Sequence, residues 1–316
     1  MQGVSVVPKI EYVPKKFRQT SLELIWRINT VIADYEAQGY SLTLRQVYYQ
    51  MVARDIIPNN ERSYKNLGAL INDARLAGLI DWNAIEDRTR NIRGRTHWEK
   101  PGDVIKAAAY NYHLDYWQDQ DNYVEVWVEK DALVGVVGRI CDQLDLKYFS
   151  CRGYVSQSEM WVAAKRLEKR QREGKNIVLL HLGDHDPSGI DMSRDILDRL
   201  NVFETDDIEF KRLALNMEQV EEYNPPPNPT KLTDSRATKY LSDFGDECWE
   251  LDALEPKVID ALIKDNVLKF RDEKKYNQIK KQEALGIEFL EEIAENFDRI
   301  ELNWKEIKSN YMMGDL

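Results

Sequence analysis

Three carboxylates in this 316-residue chain stand where they could act together. Glu129 closes the apolar run VEVWVE, and Asp184 and Asp186 close the run LLHLGDHD. Alternate residues of an extended chain point to one side, so Asp184 and Asp186 are expected to share a direction while His185 points elsewhere. If the two runs are neighbouring strands, the three acids converge. Like charges held together raise one another's pKa, so such a group needs a cation. Hard oxygen ligands suit Mg²⁺, which keeps several waters and accepts phosphate oxygens. Pro187-Ser188-Gly189 then turns into a helix whose first amides could meet a phosphate. Acids before a helix are usually plain caps. The glutamate 55 residues earlier, at the end of another strand, lifts this pair above that reading.

A second candidate lies in LRQVYYQ. Leu44, Val47, Tyr48, Met51 and Val52 fall at helical spacing and make one apolar stripe, so Tyr48 reads as core. Tyr49 lies off the centre of that stripe, four residues after Arg45, and the two share a face. A free tyrosine ionises near pH 10, so a phenol that attacks phosphorus needs help, and a guanidinium beside it can hold phosphate and favour phenolate. Adjacent tyrosines in amphipathic helices are otherwise packing residues.

The elements around these residues form two patterns. Residues 17–38, 42–55 and 63–78 show helical periodicity, with Gly39, Thr43 and Gly78 as stop and start signals. The mixed, basic stretch from Leu79 to Trp98 has the look of a short β-ribbon, and three helices followed by a ribbon spell a winged-helix module. In it Lys65, Arg75, Arg88, Arg90, Arg93 and Arg95 are the candidate contacts to DNA phosphates. From residue 123 strands alternate with helices, which predicts an α/β domain with a parallel sheet and its site at the carboxyl ends of the strands. A charged helical tail follows.

Charge is distributed to match. The chain carries −11 overall, but residues 1–100 are net +4 and the remaining 216 are net −15. Nucleic-acid contact is therefore expected mainly in the first third, and non-specific coating of nucleic acid is disfavoured. No apolar run approaches the roughly 18 to 20 residues of a membrane span, so no membrane association is expected. The N-terminal MQGVSVVPKIEYVPKKF lacks the continuous apolar core of a secretory signal. Cys141, Cys151 and Cys248 form no CxxC pair and read as reduced thiols. A cytoplasmic location is expected, on the nucleoid if the protein is prokaryotic or from a phage.

The segments VEKDAL, CRGYVS and HLGDHDPSGIDM, in that order, resemble the Toprim domain of the topoisomerase VI A subunit and its meiotic double-strand-break relatives, across roughly residues 40–260. WELDAL, with Glu250 and Asp252, is similar to a downstream acidic segment of the family. The resemblance implies a winged-helix (CAP-like) domain in residues 1–105. It also implies a Toprim, Rossmann-like parallel-sheet domain with a helical C-terminal tail in residues 120–316. By position it makes Asp184 and Asp186 Mg²⁺ ligands and Glu129 either a further ligand or a general acid/base. Lys130 would be a pairing partner of the acid beside it. The family motif Arg-acid-aliphatic-aromatic-Tyr falls on Arg45, Gln46, Val47, Tyr48 and Tyr49, with Tyr49 as nucleophile and Gln46 as the one departure. The implied activity is Mg²⁺-dependent DNA cleavage and rejoining by a homodimer in which one protomer's tyrosine serves its mate's metal site. The chain contains no GxxxxGK[ST] motif, so ATP-driven strand passage would need a separate ATPase subunit. Two rival readings are a Toprim nuclease that uses water and a catalytically idle DNA-binding subunit.

Overall fold

The structure is a computed structural model that describes residues 9–85, 97–230 and 233–313. It divides into two compact units, Met1–Arg90 with Asn122–Phe270 and Asn91–Asp121 with Arg271–Leu316. The first helices and the sheet thus share one body, and the C-terminal helices join a segment from the middle of the chain.

The first unit opens with three helices, α1 (Gln19–Glu36), α2 (Leu44–Ala53) and α3 (Glu61–Leu76). Ile25, Ile28, Val31, Ile32 and Tyr35 recur at helical spacing along α1 and are buried. They meet Val47, Tyr48, Tyr49, Met51, Leu67 and Ile71 in one apolar cluster. Full burial of each aliphatic side chain contributes roughly 1.5–3 kcal/mol. A capping box starts α2: Thr43 Oγ1 accepts from Gln46 N, and Gln46 Oε1 accepts from Thr43 N at 2.9 Å. Glutamine serves this position as well as glutamate does. The departure from the family motif at Gln46 therefore leaves the helix start intact. The expected ribbon begins after α3, but residues 86–96 lie outside the described residues, and with them Arg88, Arg90, Arg93 and Arg95.

After α4 (Pro101–Asn111), which belongs to the second unit, the chain alternates. It runs β1 (Asn122–Val128), α5 (Val134–Leu144), β2 (Lys147–Ser150), α6 (Gln157–Arg172), β3 (Asn176–Leu182), α7 (Pro187–Val202) and β4 (Ile208–Ala214). The four strands form one parallel sheet in the order β2-β1-β3-β4, flanked by helices. The α/β expectation and its strands stand as read. Burial along β1 and β3 is almost continuous, as a sheet covered on both faces requires. The chain leaves β1 for one side and returns to β3 on the other. That reversal opens a crevice at the carboxyl ends of β1 and β3, where open α/β sheets bind ligands.

Beyond β4 come α8 (Met217–Tyr223), the two-residue strand β5 (Asn228–Pro229), α9 (Ala237–Phe244), β6 (Glu247–Cys248), paired antiparallel to β5, and α10 (Pro256–Val267). Between β6 and α10 a 3-10 turn, Leu251–Ala253, packs on α2, and Ala253 joins its apolar cluster.

The second unit packs α4 along α11 (Glu273–Glu295), which leads into α12 (Phe297–Met313). Glu283 of α11 is buried, accepting from Leu114 N at 2.6 Å and from Tyr116, with His113 Nδ1 at 2.7 Å. Among the described residues no helix is long and apolar enough to cross a membrane.

Candidate active site

β1 and β3 are direct neighbours, with Val128 in register with Leu182, so their ends bring Glu129 and Asp184 together. Glu129 N donates to Leu182 O, and Glu129 Oε2 accepts from Asp184 N, both at 2.8 Å. Two glycines permit this approach. A Cβ on Gly183 would lie 2.9 Å from Glu129 Oε2, and one on Gly189 would lie 2.3 Å from Asp184 O. The spacing GDHDPSG thus has a steric cause beyond the turn itself.

Asp184 and Asp186 make different contacts. Asp184 Oδ1 accepts from Leu251 N at 2.8 Å, and its Oδ2 lies 3.0 Å from Lys130 Nζ. Asp186 caps α7, its Oδ1 accepting from Gly189 N at 2.6 Å and Ser188 Oγ at 2.9 Å. The first amides of that helix, expected to meet a phosphate, are thus partly taken by the chain's own cap. His185 turns away, with Nδ1 2.7 Å from Tyr240 Oη and its ring against Phe244 and Trp249.

Lys130 is the centre of the cluster. Its ammonium lies 3.0 Å from Asp184, 2.6 Å from Glu250 Oε2 and 3.0 Å from Asp252 Oδ1. Burial alone would lower its pKa, but Asp184, Asp252 and Glu250 outweigh that and raise it. Arg45 reaches the same acids from α2. Its Nη2 donates to Glu250 Oε2, and its Nε lies 2.9 Å from Asp252 Oδ2. That buried Asp252 oxygen makes no hydrogen bond.

Five carboxylates (Glu129, Asp184, Asp186, Glu250 and Asp252) therefore share this end of the sheet with Lys130 and Arg45. Burial pushes Asp184 up to about 7, with Glu129 and Asp252 adding and Lys130 opposing. Burial also raises Glu129, helped by the charge of Asp186. Glu250 moves the other way, to about 2: its burial is outweighed by Lys130 and Arg45.

Arg212 on β4, which sequence reasoning missed, holds the loop from behind. Its guanidinium donates to Gly189 O at 2.9 Å, Ser193 Oγ at 2.8 Å, Gly183 O at 3.1 Å and Leu215 O at 3.3 Å. A further bond runs to Asp184 O at 2.5 Å. One half-buried cation thus fixes the backbone that carries the acids, and its charge faces Glu129, Asp184 and Asp186. An arginine near the end of IEFKRLAL carries no sequence signal for that role.

Both tyrosines of α2 are buried. Tyr48 donates to Asn59 Oδ1 at 2.9 Å, and Asn59 in turn donates to Pro227 O at 2.9 Å and Asn228 Oδ1 at 2.8 Å. Tyr49 lies close enough to Glu250 to feel its charge, and the Arg45 guanidinium lies 5.8 Å from its ring centre. The expected neighbour is present, but its effect is outweighed. Burial, then the charges of Glu250 and Asp252, raise the Tyr49 pKa well above the ordinary tyrosine value, against the pull of Arg45.

The described DNA candidates are engaged within the chain. Lys65 is exposed and 2.7 Å from Glu61. Arg75 donates to Ile85 O at 2.6 Å and Trp82 O at 3.0 Å, with its guanidinium over the Trp82 ring.

The donors suit Mg²⁺ by type, being carboxylate oxygens in charge excess, one of them buried without a hydrogen bond. Among the described residues no three His, Cys, Asp or Glu side chains stand ready to ligate an ion. Lys130 takes the place between Asp184, Glu250 and Asp252. No protein-family model, no curated protein and no solved structure matches the chain.

Proposed function

We propose that this protein cleaves and rejoins DNA strands by Mg²⁺-dependent transesterification, with Tyr49 as the nucleophile. The reading takes the first unit as a winged-helix module joined to a Toprim sheet, as in the topoisomerase VI A subunit. The observation that carries it is the meeting of Tyr49 with Glu250, within an acidic cluster at the crevice between β1 and β3.

The chain's own groups divide the work. Glu250 is the carboxylate beside Tyr49, and once Lys130 and Arg45 no longer hold it, it can take the phenolic proton as the oxygen bonds to phosphorus. Glu129, whose burial favours the protonated form, can give a proton to the leaving deoxyribose oxygen. One phosphodiester is exchanged for a tyrosyl phosphodiester and a free hydroxyl, and the reverse exchange reseals the strand. Arg45 is placed to hold the phosphate once it releases Glu250. Mg²⁺, held by Asp184 and Asp186, would stabilise charge on the transferring phosphate. The buried, high-pKa phenol means that the resting site must open before attack.

The test is a covalent adduct. Protein, DNA and Mg²⁺ together should give a protein–DNA species on a denaturing gel, absent with Tyr49→Phe; adducts that persist in that variant would refute the assignment. Family resemblance implies a homodimer acting in trans, whereas Tyr49 meets Glu250 of its own chain. Mixing Tyr49→Phe with Asp184→Asn chains restores cleavage only if the site is shared. A separate ATPase subunit would be needed for strand passage.

The buried phenol favours a second reading, a Toprim nuclease in which water attacks. Cleavage without an adduct, insensitive to Tyr49→Phe and lost in Asp184→Ala, is its signature. DNA binding with no Mg²⁺-dependent cleavage would leave the idle DNA-binding subunit.

A further inference from the structure

A cavity of about 390 Å³ opens in the first unit between the loop after α1, the helix α5 and the edge strand β2. Among the described residues, none of those assigned to the chemistry above is part of its walls. Tyr40 and Ser41 of the loop, Val134, Arg139 and Asp142 of α5, and Tyr148 of β2 are. Val134, Gly138 and Asp142 follow one another at steps of four, so they share one face of α5. A Cβ on Gly138 would come 2.9 Å from Tyr148 Oη, so glycine is what lets that phenol rest against the helix. The exposed Asp142 carboxylate stands near the same hydroxyl.

Arg139 is held in one plane. Its guanidinium lies over the Tyr40 ring, 3.9 Å from the centroid. Nη2 donates to Asp260 Oδ2 of α10 at 2.6 Å, and Nη1 donates to Gly39 O at 3.3 Å and Gln38 O at 3.4 Å. Tyr40 Oη donates to the same Asp260 oxygen at 2.9 Å and closes the bracket from behind. One face and the outer edge of the guanidinium are thus taken, yet the side chain is still 33% exposed. What remains open is the other face, on the side of the cavity. A guanidinium plane fixed in this way stacks flat π systems.

The walls narrow the occupant. The terminal nitrogens of Arg139 are engaged and Asp260 balances its charge, so an anion gains little here and meets the charge of Asp142. A single carboxylate is too few ligands for a divalent cation. An aliphatic group would strip water from the guanidinium face and from Asp142 and replace none of it. A planar ring with an amino group on its edge satisfies both, stacking on Arg139 while its N–H donates to Asp142. Nucleobases have that form, and the volume is of the size of small-molecule sites.

We propose that this cavity binds an amino-bearing purine base, stacked on Arg139 with Tyr148 as the second wall and its amino group on Asp142. The inference goes beyond strand cleavage and requires neither Tyr49 nor Mg²⁺. Free nucleosides and unpaired bases in a strand share this chemistry, and the test separates them.

Calorimetric titration of the full chain in EDTA, where no metal-dependent step contributes, decides it. Adenosine should bind with a Kd of about 0.1 mM, the affinity a compact ligand of its size ordinarily reaches. Purine riboside, the same molecule without its amino group, should bind about tenfold more weakly, and ribose not at all. Tyr148→Ala and Asp142→Ala should each weaken adenosine about tenfold or more. Both side chains are exposed, so circular dichroism should report an unchanged fold. An oligodeoxyadenylate titrated in parallel tells the sources apart. Loss of its affinity in the same variants places the base in a strand, whereas retention while adenosine is lost makes the ligand a free one. No adenosine binding at about 5 mM, equal binding of ribose, or affinities that both variants leave unchanged would each overturn the proposal. A chain that binds adenosine in this way but cleaves no DNA would sink the cleavage reading and leave this one standing.

Discussion

Two buried glutamates, Glu125 within the interior strand β1 and Glu129 just past its end, lie four residues apart and live in opposite conditions. Glu125 is saturated. Tyr123 Oη donates to it at 2.6 Å, Trp127 Nε1 at 2.9 Å, and Arg166 grips both oxygens at 2.7 and 2.9 Å. Its burial would raise its pKa, but Arg166 with the two ring donors lowers it. Glu129 has one backbone amide and a crowd of other acids, and its pKa rises. A buried charge that is fully paired serves the fold; one that is crowded and under-paired marks a place where chemistry or a ligand completes the charge balance.

Three substitutions break or sharpen that contrast, from the largest effect to the smallest. Asp184→Asn, on the crowded side, should lower Mg²⁺-dependent DNA cleavage by about 10³-fold or more while leaving the chain folded. Its stability should depend on pH in a defined direction. Asp184 sits at about 7 in the native state against an ordinary value near 4. Between those values the native chain holds a proton that the unfolded chain has lost. Wild-type stability therefore falls as pH rises through that window. The variant has no such group, so its melting midpoint should gain on the wild type between pH 5 and pH 8, and a constant difference would count against the shift.

Glu125→Ala, on the saturated side, should do the reverse. It strands the Arg166 guanidinium and two ring donors, and chemical denaturation should report a loss of about 3 kcal/mol. Cleavage per folded molecule should stay at the wild-type level; a selective loss of activity would end the distinction between the two glutamates. Tyr48→Phe removes one hydroxyl, shared between Asn59 Oδ1 and Asn60 O, so urea unfolding should shift by about 1 kcal/mol. A loss of adduct formation in that variant would instead mean that the wrong tyrosine has been chosen.

Much of this was legible along the chain. The alternation of VEVWVE, LKYFSC, NIVLLHL and IEFKRLA with helical segments announced a parallel sheet, and adjacency of β1 and β3 follows from the strand order. The meeting of Glu129 with Asp184 could be reasoned from strand ends only on the condition that the two strands are neighbours, which the sheet order meets. Periodicity within α2 separated Tyr48 from Tyr49 but could not tell that both would be buried. What covers Tyr49 is the turn at Leu251–Ala253, some two hundred residues on, and no local pattern reports so distant a neighbour. The same distance hid the grip of Arg45 on Glu250 and Asp252. Alternation along an extended strand predicted a common direction for Asp184 and Asp186, yet β3 ends at Leu182, and Asp186 already belongs to the cap of α7. Arg212 escaped notice because its partners are mostly backbone carbonyls, which every sequence has.

Lys130 has one more consequence. By lying among Asp184, Glu250 and Asp252, its side chain supplies from within the charge that would otherwise come from outside. Small metalloproteins whose ligand groups have no internal counter-charge collapse when stripped by a chelator. This chain therefore already holds an internal cation among three of its five clustered acids, so the fold of this end of the sheet does not wait on an added one.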